Sequence, residues 1–83
     1  MNEEISVLLD LKHGSVIFIG SHLDLEARRQ SILDRCKSWQ MEKEAEEALR
    51  VVKASEISKD ELAHMLDKRQ IPRRVEMRLK ATR

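Results

Sequence analysis

Residues 21–55 read SHLDLEARRQSILDRCKSWQMEKEAEEALRVVKAS, without a glycine or proline among them. At about 1.5 Å per residue, an unbroken helix over this stretch is a rod of about 50 Å. A chain of 83 residues buries only about 60–65% of the surface that its unfolded form exposes, so such a rod needs a lid. The lid has to come from the flanking segments, from a second copy, or from another macromolecule.

The apolar register of this stretch sets the expectation. Ser21 is placed to cap the helix, with Asp24 at the third position. Leu25, Ile32, Cys36 and Trp39 then step by seven, four and three residues, a seam widened by Leu23 and Leu33. Beyond Trp39 the stripe moves to Met41, Ala45, Ala48 and Val52, so the register breaks near Gln40. Residues 42–50 are rich in strong helix formers and carry Glu46 and Arg50 at the favourable i,i+4 spacing. The expectation is one long helix over 21–55 that changes packing partner midway. Its interface residues are then Leu25, Ile32, Cys36, Trp39, Met41, Ala45, Ala48 and Val52, with Trp39 as the anchor, since tryptophan is enriched at binding hot spots.

The N-terminal segment has two readings. Asn2-Glu3-Glu4 ahead of an apolar run, closed by Lys12-His13-Gly14, has the marks of a short helix. Ile5, Val7, Leu9 and Leu11 alternate instead with Ser6, Asp10 and Lys12, a strand period broken by Leu8. The β-branched and aromatic run Ser15–Ile19, closed by Gly20, is the best strand in the chain. It needs a neighbour for its backbone groups, and residues 5–11 are the nearest, across a turn in which Gly14 can take positive φ. A β-hairpin over residues 1–20 is the favoured reading. In the helical reading the 15–19 strand pairs with its copy in a dimer.

After residue 55, Ser58-Lys-Asp-Glu61 is a full capping box, which predicts a helix from Lys59 to about Arg69. Ile71-Pro72 ends it, and Pro72 suits the start of a further helix over 73–81. The run Asp60-Glu-Leu-Ala-His-Met-Leu66, with Ala63 at the small position, resembles the first helix of a helix-turn-helix motif. It departs from that motif after Leu66: Asp67 stands at the place of the turn glycine, and Lys68 at the place of an apolar residue.

Charge separates the two ends of the chain. Residues 1–67 hold nine Lys/Arg against fourteen Asp/Glu, a balance of −5, whereas residues 68–83 hold seven Lys/Arg against Glu76, a balance of +6. Lys68, Arg69, Arg73, Arg74, Arg78, Lys80 and Arg83 are the candidate contacts to phosphate, so DNA or RNA is the first expected partner. An acidic protein is the alternative, as is docking of this segment on Glu42, Glu44, Glu46 and Glu47 of the same chain or of a second copy.

Nothing in the chain points to catalysis. Cys36 falls on the apolar seam in mid-helix, away from the electropositive niches that activate thiols. His13, His22 and His64 do not pair with each other or with Cys36 at zinc spacing, and no phosphate-binding glycine loop or nucleophile elbow occurs. No metal or cofactor is expected. Trp39 and Phe18, without a tyrosine, are too few for a base-stacking platform. A single cysteine, the lack of a long apolar run, and Glu3 and Glu4 near the start point to a cytoplasmic protein away from membranes.

Together these features predict a single α+β domain over 1–83, mainly helical. A short hairpin (1–20) precedes one long helix (21–55) and a helical pair with a basic C-terminus (58–83). The expected function is that of a small non-enzymatic regulatory protein, a homodimer that binds nucleic acid. The alternative is a protein-interaction module, inhibitor or adaptor working through the long helix and Trp39.

Overall fold

A computed structural model describes residues 4–81. It is α+β, and the N-terminal hairpin is present: β1 (Ile5–Asp10) and β2 (Ser15–Ser21) pair antiparallel, in place of the helix that Asn2-Glu3-Glu4 offered. Residues 2 and 3 of that offered helix lie outside the described residues. The turn is built as its residues require. Asp10 accepts hydrogen bonds from the backbone N–H groups of Lys12 (2.9 Å) and His13 (3.3 Å), and Gly14 takes φ 64°. Leu8 pairs with Phe18 but Leu9 with Val16, so Ile17 is the extra residue of a bulge.

The single helix expected over 21–55 is not formed. α1 (His22–Ser38) starts as read, with the Ser21 hydroxyl accepting from the Asp24 N–H at 3.3 Å. It stops at Trp39, and Gln40 turns the chain in the left-handed region at φ 59°. A short α2 (Glu42–Ala48) follows, and Leu49–Lys53 is not helix but a third strand, β3. The register break near Gln40 is therefore a corner between two helices. The error over 49–53 has a physical cause: Leu-Arg-Val-Val-Lys suits a strand as well as a helix, and β1 offers a whole row of backbone partners. β3 lies antiparallel along β1, from Ser6↔Lys53 to Asp10↔Leu49, giving the sheet order β2-β1-β3.

Arg29 fastens the junction between α2 and β3. Its Nε donates to the Leu49 carbonyl at 2.9 Å and its Nη2 to the Glu46 carbonyl at 3.0 Å. A helix end leaves its last carbonyls without internal partners, and a guanidinium satisfies and neutralises them. The i,i+4 pairing expected between Glu46 and Arg50 is absent, because Arg50 is on the strand. Its Nη1 reaches the Leu79 carbonyl at 3.4 Å.

The C-terminal pair of helices forms as the sequence predicts. α3 (Lys59–Lys68) carries both halves of its capping box, Glu61 N–H to Ser58 Oγ (3.2 Å) and Ser58 N–H to Glu61 Oε1 (3.3 Å). α4 is Arg73–Ala81. The connection differs from a helix-turn-helix turn. Arg69, two places beyond Asp67, takes the left-handed conformation at φ 56°, and the chain then runs along the outer edge of β2. The Val16 N–H donates to Arg69 C=O and the Ile71 N–H to Gly14 C=O, both at 2.9 Å, so Gln70 bridges Ser15.

The result is three layers. On one face of the sheet, Val7, Leu9, Leu11, Val16 and Val52 pack with Ile57 and with Met65, Ile71 and Val75 of the α3–α4 layer. On the other, Leu8 packs with Leu25 and Leu33 of α1 and with Leu49. The central strand is thus buried on both sides, which is why Leu8 breaks its period-2 pattern. Ser6, also fully buried, has its Oγ 3.1 Å from His22 Nδ1.

Because Leu8 fills a sealed core and Leu23 is 75% exposed, the two leucines separate cleanly. Leu8→Ala is expected to lower unfolding free energy by about 2–5 kcal/mol in a urea titration. Leu23→Ala should change it by less than about 0.5 kcal/mol.

Candidate nucleic-acid interface

The seven basic residues singled out in the sequence divide into three groups. Lys68, Arg69, Arg73 and Arg74 flank the α3–α4 turn, and all four are exposed. Lys68 lies 3.6 Å from its solvent-exposed neighbour Asp67. Arg69, Arg73 and Arg74 make no ion pair with any described residue. Further along α4, Arg78 lies 3.7 Å from Glu61, and Lys80 lies 2.8 Å from Glu76. Arg83 lies outside the described residues.

The backbone sets the position of this charge. Val75 and Leu79 turn the apolar side of α4 toward the sheet, leaving Arg73 and Arg74 on its first turn facing water. The bond from residue 69 to β2 and that from residue 71 to Gly14 of the hairpin turn hold the α3–α4 turn against the sheet edge, so the arginines project from a fixed connection. Two acidic residues of α2 have partners outside the basic segment: Glu42 lies 3.7 Å from Lys37, and Glu44 lies 4.0 Å from Lys12. Lys80 does meet the α2 layer, across a cleft of about 450 Å³ whose walls include Glu44, Glu47, Lys12 and Arg50.

Glu61 connects the cap of α3 to the charge of α4. Partial burial raises its carboxyl, but the backbone and side-chain hydrogen bonds of Ser58, with the charges of Arg78 and Arg74, outweigh that and hold it below the usual value. The sign of the linkage follows. A carboxyl with a depressed folded-state pKa adds stability that is present above the unfolded pKa, about 4.3 for Glu, and is lost as pH falls through the folded value. Glu61→Gln keeps the capping geometry and removes the charge. The stability gap between wild type and this variant should therefore narrow as pH is lowered from 5 toward 3, read from thermal midpoints across that range.

The eight residues expected on one interface seam do not share a surface. Leu25 and Val52 are buried in cores on opposite faces of the sheet, so the chain's own sheet is the lid that the seam needed. Ile32 and Ala45 pack against the Leu8 core, and Cys36 and Ala48 are half-buried. Only at the α1–α2 corner does the set present large apolar groups to water, with Trp39 76% exposed and Met41 46%. Beside that corner a cleft of about 190 Å³ is lined by Ile32, Cys36, Met41 and Ala45, with Asp10 and His13 at its rim. His13 Nδ1 lies 2.6 Å from Asp10 Oδ2.

In the sequence Met41, Met65 and Met77 read as ordinary core and rim or as an adaptable binding groove; the fold buries Met65 in the core and leaves Met77 in water. Met77 is 61% exposed, in the midst of the basic face of α4. Helical spacing separates it from the apolar side: it falls between Arg73 and Ala81, opposite Val75 and Leu79. Among the described residues, no group of three His, Cys, Asp or Glu side chains is placed to hold a metal ion, and no helix is long and apolar enough to cross a membrane. No protein-family model matches this chain, and neither a curated protein nor a solved structure matches it.

Proposed function

We propose that this chain is a small, non-enzymatic regulatory protein that binds nucleic acid through the α3–α4 segment and works in the cytoplasm. One observation carries the reading: Arg69, Arg73 and Arg74 stand together at an exposed turn, without ion pairs among the described residues, on a backbone bonded to the sheet. Arginines gathered at one turn without a carboxylate in ion-pair contact are costly to assemble through their mutual repulsion, and the Glu61 charge that Arg74 feels is shared with Arg78. Phosphates are the ligands that relieve that repulsion, with release of condensed counterions. Arg78 and Lys80 contribute less, since each has a carboxylate beside it.

This division sets the expected salt dependence. Three phosphate contacts, from Arg69, Arg73 and Arg74, correspond to a slope of log affinity on log salt of about −2 to −3, with Lys68 discounted like Arg78 and Lys80 because Asp67 lies beside it. Fluorescence anisotropy on a labelled duplex, with salt raised from a low starting concentration, measures it. Changing Arg73 and Arg74 together to Ala should weaken binding and make the slope shallower by about 2. Absence of binding to any nucleic acid at low salt would remove this reading.

A second reading, self-association, is favoured by the exposure of Trp39 beside Met41. A tryptophan left in water at a helix corner is a natural anchor for a second copy, by the same enrichment at hot spots noted above. Light scattering should then give a dimer for the wild type and a monomer for Trp39→Ala, with unchanged helix content. A monomeric wild type sinks it.

A further inference from the structure

Resting on the nucleic-acid reading above, the shape of α4 specifies the partner further. We propose that α4 enters the major groove of duplex DNA and that Met77 reads thymine methyl groups there. At about 100° per residue, the exposed residues of this nine-residue helix span one arc. Met77 and Ala81 run along the centre of the arc. Arg73 and Lys80 lie to one side of that line, Arg74 and Arg78 to the other. Val75 and Leu79 point the opposite way, into the sheet, and Glu76 is half-buried.

An apolar centre line with cations on both flanks has a direct counterpart in B-DNA. The major groove is about 12 Å wide, admits one helix, and is walled by two phosphate backbones. Arg73 on one flank and Arg74 on the other face the two walls, while Lys80 and Arg78 further along the helix have Glu76 and Glu61 beside them. The centre line faces the floor, where thymine carries the one apolar group that a base presents in that groove. Met77 is unbranched and polarizable, and it fills irregular apolar surfaces readily. Its 61% exposure is surface that no described neighbour covers. An A-form RNA duplex is a poorer fit, because its major groove is deep and too narrow for side chains to read. Single strands are poorer still: Trp39 lies at the α1–α2 corner and Phe18 on β2 under Arg28, whose guanidinium carbon is 4.5 Å from the ring centre, so neither ring stands on the basic face of α4.

The test compares two pools of short, mixed-sequence DNA duplexes, identical except that one carries uracil in place of thymine and so lacks the 5-methyl group. Anisotropy at low salt should show the wild type binding the thymine pool more tightly, by about fourfold for each methyl buried. Met77→Ala should reduce that ratio to near one while retaining the affinity for the uracil pool; circular dichroism confirms that the exposed substitution leaves the fold intact. Arg73→Ala should weaken both pools alike. Equal binding of both pools by the wild type overturns the groove-reading assignment, as does a thymine preference that survives in Met77→Ala, or tighter binding of an RNA duplex. In each of those results nucleic-acid binding itself stands. Failure to bind any of the three overturns the assignment, and failure to bind the separated DNA and RNA strands as well, whether or not anionic vesicles are bound instead, overturns the reading on which it rests.

Discussion

β1 is hydrogen-bonded along both edges and covered on both faces, and every other element is placed by what it must supply to that strand. β2 and β3 satisfy its backbone groups. α1, with α2, covers the Leu8 face, and the α3–α4 pair covers the Val7 and Leu9 face. A central strand six residues long cannot leave polar backbone groups unpaired in such a setting, since each buried orphan costs about as much as a lost hydrogen bond. The demand for a second partner along β1 outweighs the helical leaning of residues 49–53. The corner at Gln40 and the Arg29 contacts are the local consequences, because the chain must turn back to deliver β3 in register.

What could be read in the sequence tracks how local each signal is. The hairpin, the Ser21 cap, the capping box at Ser58–Glu61 and the stop at Ile71-Pro72 all depend on residues within a few positions of one another, and all formed. The register break near Gln40 was legible too, but not its meaning, since a change of stripe looks alike in a bent helix and in two separate ones. The strand character of Leu49–Lys53 was not legible, because the deciding partner is β1, far away in sequence. Leu8 carried the missing clue: a strand whose alternation fails at a leucine is buried on both faces, and such a strand has two neighbours. The same omission misdirected the seam, since Leu25 and Val52 seemed to share a helix face while in the fold a sheet stands between them.

The candidate interface was legible as charge and illegible as shape. Counting residues located the positive segment, but only the fold shows which cations are matched, with Glu61 and Glu76 beside Arg78 and Lys80. It also shows why Arg69 occupies a conformation better suited to glycine. That residue closes α3 and releases its backbone to the edge of β2, so one position serves the helix end and the sheet together.

The strand order has a consequence for how the chain comes to be folded at all. During synthesis the hairpin is complete once residue 21 has left the ribosome, but the other edge of β1 waits for residues 49–53. In that interval the nascent chain displays a bare strand edge beside Val7, Leu8 and Leu9, which is the kind of surface that chaperones bind and that neighbouring nascent chains pair with. α1 emerges directly after β2 and can shield one face at once, and the opposite face stays open until α3 and α4 arrive. The basic helix, made after every other described element, is thus also the part that closes the molecule.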